Sequence, residues 1–131
     1  MKRITFLFAA TAFVMLATSS AFSQAQKRIV FARGVTSTVA TGTLNGYNDT
    51  RTFVIKVRRG QTLTTESAGN NHITVDIKAP RGARYEADLA ADCHDRHRVP
   101  RTAPGDYIIT VTECRKADRW RGRFRLRVGV R

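Results

Sequence analysis

Apolar residues return at every second position through most of this chain, and that period constrains the fold more than any other feature. Phe53, Ile55 and Val57 alternate with Thr52, Val54 and Lys56, and Ile73, Val75 and Ile77 alternate with Thr74, Asp76 and Lys78. Tyr107, Ile109 and Val111 continue the pattern, and Phe124, Leu126, Val128 and Val130 close it. Successive side chains of a strand point to opposite faces, so each set describes a strand with one buried face. Weaker strands are expected around Arg28–Phe31, Thr36–Leu44 and Gln61–Glu66. Turn chemistry breaks the runs at Asn45-Gly46, Arg59-Gly60, Gly69-Asn70-Asn71, Pro80-Arg81-Gly82 and Pro104-Gly105-Asp106. No helical repeat of useful length competes, and the stretch Tyr85–Ala91 is the one place for a helical turn. Strand signals at this spacing predict an all-β fold, a single antiparallel β-sandwich of jelly-roll-like type, over a parallel α/β sheet.

The N-terminus follows different rules. Lys2 and Arg3 precede an uncharged apolar run from Ile4 to Ala17, and small residues then offer cleavage after Ser23 or after Ala25. That is the pattern of a secretory signal peptide, and the run is shorter than the ~20 residues that span a bilayer. The expected organisation is a signal peptide over 1–23 and one domain over 24–131, exported to the periplasm with no stable membrane insertion. In an oxidising compartment the only two cysteines, Cys93 and Cys114, are expected to pair.

Charge narrows the partners. Among the 131 residues, 23 Lys and Arg stand against 10 Asp and Glu, a formal charge of +13. In the last segment Arg119, Arg121, Arg123, Arg125 and Arg127 alternate with Trp120, Gly122, Phe124, Leu126 and Val128. A strand there carries a cationic row outside and an apolar row inside. The row serves either as a solvated face that discourages edge pairing or as a surface for an acidic protein or an anionic envelope component. Export separates the chain from most nucleic acid, and the row lacks exposed interleaved aromatics, so no nucleic-acid partner is expected.

Catalytic and metal signatures are missing. The sequence holds no Gly-x-Ser-x-Gly elbow, His-Glu-x-x-His pair, P-loop or Gly-x-Gly-x-x-Gly turn. His72 with Asp76 and a nearby serine is too slight a combination to read as a triad. Cys93-His94-Asp95-Arg96-His97 contains zinc-ligand types without paired short spacings, and the expected reading is a disulfide beside two surface histidines. Glu86, Asp88, Asp92 and Asp95 do not have EF-hand spacing. The chain is expected to be a non-enzyme with no cofactor and no metal.

Several strings carry a family resemblance. Gly42-Thr43-Leu44-Asn45-Gly46-Tyr47, Phe53–Val57, Arg59-Gly60-Gln61, Ile77–Gly82 and Ala103–Val111 resemble the bacterial pre-peptidase C-terminal-type β-sandwich. A narrower set resembles the periplasmic inhibitors of g-type (goose-type) lysozyme. It comprises Phe31-Ala32-Arg33-Gly34 with Ser37, Gly46-Tyr47, Arg58-Arg59-Gly60-Gln61, Pro104-Gly105-Asp106-Tyr107, and Arg115 with Arg119. Pro104 stands where that family's segment begins with Ser, which removes a hydroxyl. The resemblance implies an inhibitor whose partner is a g-type lysozyme, with Tyr47, Gly105, Asp106, Tyr107, Arg115 and Arg119 as the contact residues. Arg115 and Arg119 are expected in a hairpin loop, where guanidinium donors can occupy the carboxylates that glycoside hydrolysis relies on. The alternative is a sandwich-fold module for an anionic polymer such as lipopolysaccharide.

Overall fold

A computed structural model describes residues 25–69, 73–83, 85, 93, 96–116 and 118–131. The signal peptide expected over 1–23, the residues His72, His94 and Asp95, and the acidic positions Glu86, Asp88 and Asp92 lie outside them. So does most of the Tyr85–Ala91 segment. Among the described residues eight strands form the architecture: β1 (Lys27–Ile29), β2 (Ser37–Asn45), β3 (Thr50–Val57), β4 (Leu63–Ser67), β5 (Ile73–Lys78), β6 (Arg96–Val99), β7 (Gly105–Glu113) and β8 (Arg121–Val130). They form two four-stranded sheets, ordered β1-β3-β7-β5 and β2-β8-β4-β6. Every pairing is antiparallel except that of β1 with β3.

Consecutive strands alternate strictly between the two sheets, so every connection crosses the sandwich. This is the jelly-roll-like connectivity that the strand pattern predicts. It also corrects one expectation: residues 114–120 do not close a hairpin. They carry the chain from β7 in one sheet to β8 in the other, across the roughly 10 Å that separates packed sheets.

The alternating residues meet between the layers. Phe53, Ile55 and Val57, then Ile73, Val75 and Ile77, face Phe124, Leu126, Val128 and Val130 in one buried cluster with Tyr107, Ile109 and Val111. Burying each of these larger apolar side chains stabilises the fold by about 1.5–3 kcal/mol before conformational entropy is counted. Phe53 and Phe124 meet edge to face, with centroids 6.2 Å apart and planes at 84°, a favoured aromatic geometry. Gly42 makes that contact possible. A Cβ there would stand 2.6 Å from the Phe124 ring.

Strand β6 escapes the sequence reading because Arg96-His97-Arg98-Val99 holds one aliphatic residue in four. His97 is the first of its two inward residues, only 8% exposed, which corrects the expectation of a surface histidine. Its Nε2 lies 2.6 Å from the Val75 carbonyl and its Nδ1 lies 2.9 Å from the Tyr85 hydroxyl. A carbonyl only accepts, so Nε2 carries the proton, and in the neutral ring Nδ1 then accepts from Tyr85. The imidazole thereby joins β6 to β5 in the opposite sheet.

The Arg58–Gln61 string is explained by a turn. The Gln61 side chain accepts from the Arg58 amide at 2.7 Å, and Gly60 takes φ +79°. Thr102, 2% exposed, binds the turn from across the end of the sandwich: its hydroxyl donates to the Arg58 carbonyl at 2.7 Å and accepts from the Gln61 amide at 3.1 Å.

Candidate functional site: the loop between β7 and β8

The inward row of β7 runs Tyr107, Ile109, Val111 and then Glu113. The carboxylate thus enters the end of the core by the same periodicity that buries its apolar neighbours. Glu113 is 2% exposed. Its Oε1 accepts from the backbone amide of Trp120, which ties the far side of the loop back to the strand before it. Cys114, the next residue, is bonded to Cys93. The loop is therefore held on both flanks, by a covalent bond at its start and a charged hydrogen bond at its end.

The turn between β2 and β3 supplies the other wall. Asp49 accepts from the Asn45 amide at 2.9 Å and pairs with Arg51, and the Asp49 amide donates to the Gly46 carbonyl at 3.0 Å. These bonds present Tyr47 toward the β7–β8 loop. The Arg119 guanidinium lies over the Tyr47 ring, 5.7 Å from its centroid, a cation–π geometry. Gly46, at φ +105°, sits beneath. A Cβ there would lie 3.5 Å from Arg119 Nε and 4.0 Å from Glu113 Oε2, so three elements converge at one point. Arg115 and Arg119 are exposed, and Tyr47 is half-buried. The arrangement is a braced cationic projection with an aromatic flank, able to donate to carboxylates.

The remaining residues of the expected contact set lie elsewhere. Gly105 and Asp106 begin β7, and eight residues of strand rise place them about 26 Å from Glu113, at the opposite end of the sandwich. Gly105 has a local reason to be glycine, since its φ is +139° and a Cβ would stand 3.0 Å from Pro80 Cβ. Asp106 accepts two hydrogen bonds at 3.0 Å from the Arg28 guanidinium. The Arg28 hydrogen bonds hold its carboxyl below the usual carboxylate range against an opposing effect of desolvation, and the Arg28 and then the Lys56 charges add to the lowering. Tyr107 is 1% exposed, and its hydroxyl accepts from the Ala103 amide at 3.1 Å. The structure thus brings Tyr47 and Arg119 together, keeps Arg115 exposed on the same β7–β8 connection, and separates them from Gly105, Asp106 and Tyr107.

Glu113 and Trp120 were not among the expected site residues. The signal for Glu113 is present in the sequence as the fourth member of an inward-facing row. The signal for Trp120 is absent, because its role is played by a backbone amide. Among the described residues no group of three or more His, Cys, Asp or Glu could hold a metal ion. No helix long and apolar enough to cross a membrane is present among them.

No family model and no curated protein matches the sequence. Solved structures do match the fold, each over 81% of this chain. PliG of Aeromonas hydrophila superposes with a TM-score of 0.64 at 24% identity and is covered over 96% of its length. PliG of Salmonella Typhimurium gives 0.61 at 19% identity, and a mutant PliG of Escherichia coli gives 0.59 at 18%, each covered over 97%. All three are described as periplasmic lysozyme inhibitors of g-type lysozyme. At these identities the likeness is one of fold.

Proposed function

We propose that this chain is an exported, non-enzymatic inhibitor of g-type lysozyme, and that it acts by placing the β7–β8 loop in the enzyme's acidic cleft. The observation that carries the reading is the Arg119 guanidinium held over Tyr47 on a loop fixed by Cys93–Cys114 and by Glu113. Guanidinium groups fixed in place lose little freedom on docking, which favours affinity. Arg115 is the second donor from the same loop. The likeness in fold to g-type lysozyme inhibitors supports the choice of target, and the N-terminal Lys2–Ala25 pattern supports the periplasm as its location. Gly105, Asp106 and Tyr107 take structural roles in this proposal, because one inserted loop cannot engage both ends of the sandwich.

The test is inhibition measured against c-, g- and i-type lysozymes with the purified chain and four arginine variants. Inhibition should saturate at one-to-one stoichiometry with the g-type enzyme alone. Arg115→Ala and Arg119→Ala should each weaken it by about 2 kcal/mol or more, the range for truncating one partner of a desolvated charge pair. Arg123→Ala and Arg125→Ala, on the outer face of β8, should act on association rate and fade with salt. Equal losses at all four positions would refute a cleft-blocking loop.

A further inference from the structure

The outer face of the β2-β8-β4-β6 sheet concentrates positive charge in a way the other sheet does not. Arg121, Arg123, Arg125 and Arg127 of β8 point outward and are exposed, and the register places Arg96 and Arg98 of β6 on the same face. Glu66 is the single acidic residue on this face among the described strand residues, and it is paired with Arg96 at 2.6 Å. On the outer face of the other sheet, Arg28, Lys56 and Lys78 are set against Asp76 and Asp106.

One end of the cationic face is concave. At Gly129 the outward row of β8 loses its side chain, and a groove of about 590 Å³ opens there. Ser37, Thr62 and Thr64 line it together with Arg98, Arg127 and Arg131, beside the Glu66–Arg96 pair, whose carboxylate is already neutralised. Ser37, Gly129, Thr64 and Arg98 form one row across the four strands. The missing side chain is required, since a Cβ at Gly129 would stand 2.8 Å from Thr64 Oγ1. Guanidinium groups suit phosphate oxygens bidentately, and hydroxyls that both donate and accept suit sugar hydroxyls. The volume falls within the range of small-ligand sites.

We infer that this groove binds a phosphorylated saccharide of disaccharide size, with phosphate on Arg98, Arg127 and Arg131 and sugar hydroxyls on Ser37, Thr62 and Thr64. Charge complementarity and the hydroxyl-lined hollow favour this occupant over a bilayer, which would meet a flat or convex face carrying apolar anchors. The groove lies about 26 Å along β8 from the lysozyme-directed loop. The two sites are therefore independent, and the inference does not rest on the inhibitor reading.

The experiment is calorimetric titration of the intact protein with a glucosamine disaccharide phosphorylated at both ends. The same disaccharide without phosphate, inorganic pyrophosphate, and vesicles of phosphatidylcholine with phosphatidylglycerol serve as parallel probes. The phosphorylated disaccharide should bind more tightly than the other three. Arg98→Gln and Arg127→Gln should each weaken it about tenfold, the equivalent of one charge-assisted hydrogen bond. Arg121→Gln, an identical change of charge at the far end of β8, should change it less than about twofold. Thr64→Val should weaken it without altering the pyrophosphate titration, and Arg98→Gln should leave lysozyme inhibition unchanged. Equal losses at Arg121 and Arg127 would replace the groove with diffuse charge. Equal affinity for pyrophosphate would remove the saccharide from the proposal, and binding to vesicles alone would assign the face to a membrane.

Discussion

Tyr107 and Arg119 show how much a residue's meaning depends on what lies beside it. Both belong to the expected contact set, yet one is sealed in the core and the other projects from a loop. Tyr107→Phe removes the oxygen that accepts from the Ala103 amide. It should cost about 0.5–1.5 kcal/mol in denaturant unfolding, the net worth of one intramolecular hydrogen bond, while inhibition by the folded protein stays unchanged. Tyr85 makes a prediction in pH. Burial, with the nearby Asp76 charge second, raises its hydroxyl above the ordinary tyrosine value of 10.0. A group raised on folding contributes stability that is fully present below the unfolded value and lost as pH climbs through the folded one. Thermal melts should therefore fall above about pH 10, and part of that fall should vanish in Tyr85→Phe, which has no hydroxyl to ionise.

At the scale of elements, the strands differ in how plainly their sequences declare them. β3, β5, β7 and β8 each carry at least three alternating aliphatic or aromatic residues, and each was legible from period alone. β6 was not, because its inward row is His97 and Val99, and only Tyr85 and the Val75 carbonyl make a buried imidazole acceptable there. The pairing of β2 with β8 adds a steric demand that no local pattern displays. Gly42 stands opposite Phe124 with no room for a methyl group. Gly42→Ala should destabilise the protein by about 1–3 kcal/mol through overpacking, measured by chemical denaturation. Its effect should shrink when combined with Phe124→Leu, which opens the space.

Across the whole molecule, every connection crosses between sheets, so the described loops gather at the two ends of the sandwich. The β7–β8 loop and the β2–β3 turn share one end, and the Gly129 groove lies at the other. The disulfide closes a separation of 21 residues and meets the chain where β7 ends. Reducing it, or replacing both cysteines with alanine, should lower stability by about 3 kcal/mol in the chain-entropy account. Inhibition should fall further than that loss explains in protein that remains folded, because Cys114 anchors the loop that carries Arg115 and Arg119. Calorimetry paired with inhibition assays at a temperature below both melting points separates the two effects.

The fold class, the buried rows, the outward arginines of β8 and the pairing of the two cysteines were all readable from the residues in order. Each follows from a local period or from a count, and a period of two has one structural meaning once a face must leave water. Through a resemblance the sequence also marked Tyr47, Gly105, Asp106, Tyr107, Arg115 and Arg119 as one contact set. The tertiary structure alone decided which candidates share an end of the sandwich. Gly105 and Glu113 bound a single strand, and a strand keeps its two ends about 26 Å apart however alike the motifs near them look. It likewise decided that Glu113 is a brace, that residues 114–120 are a crossover, and that Gly129 opens a hollow. Those outcomes depend on strand order and register between residues as distant as Ser37 and Gly129, and no local pattern carries that information.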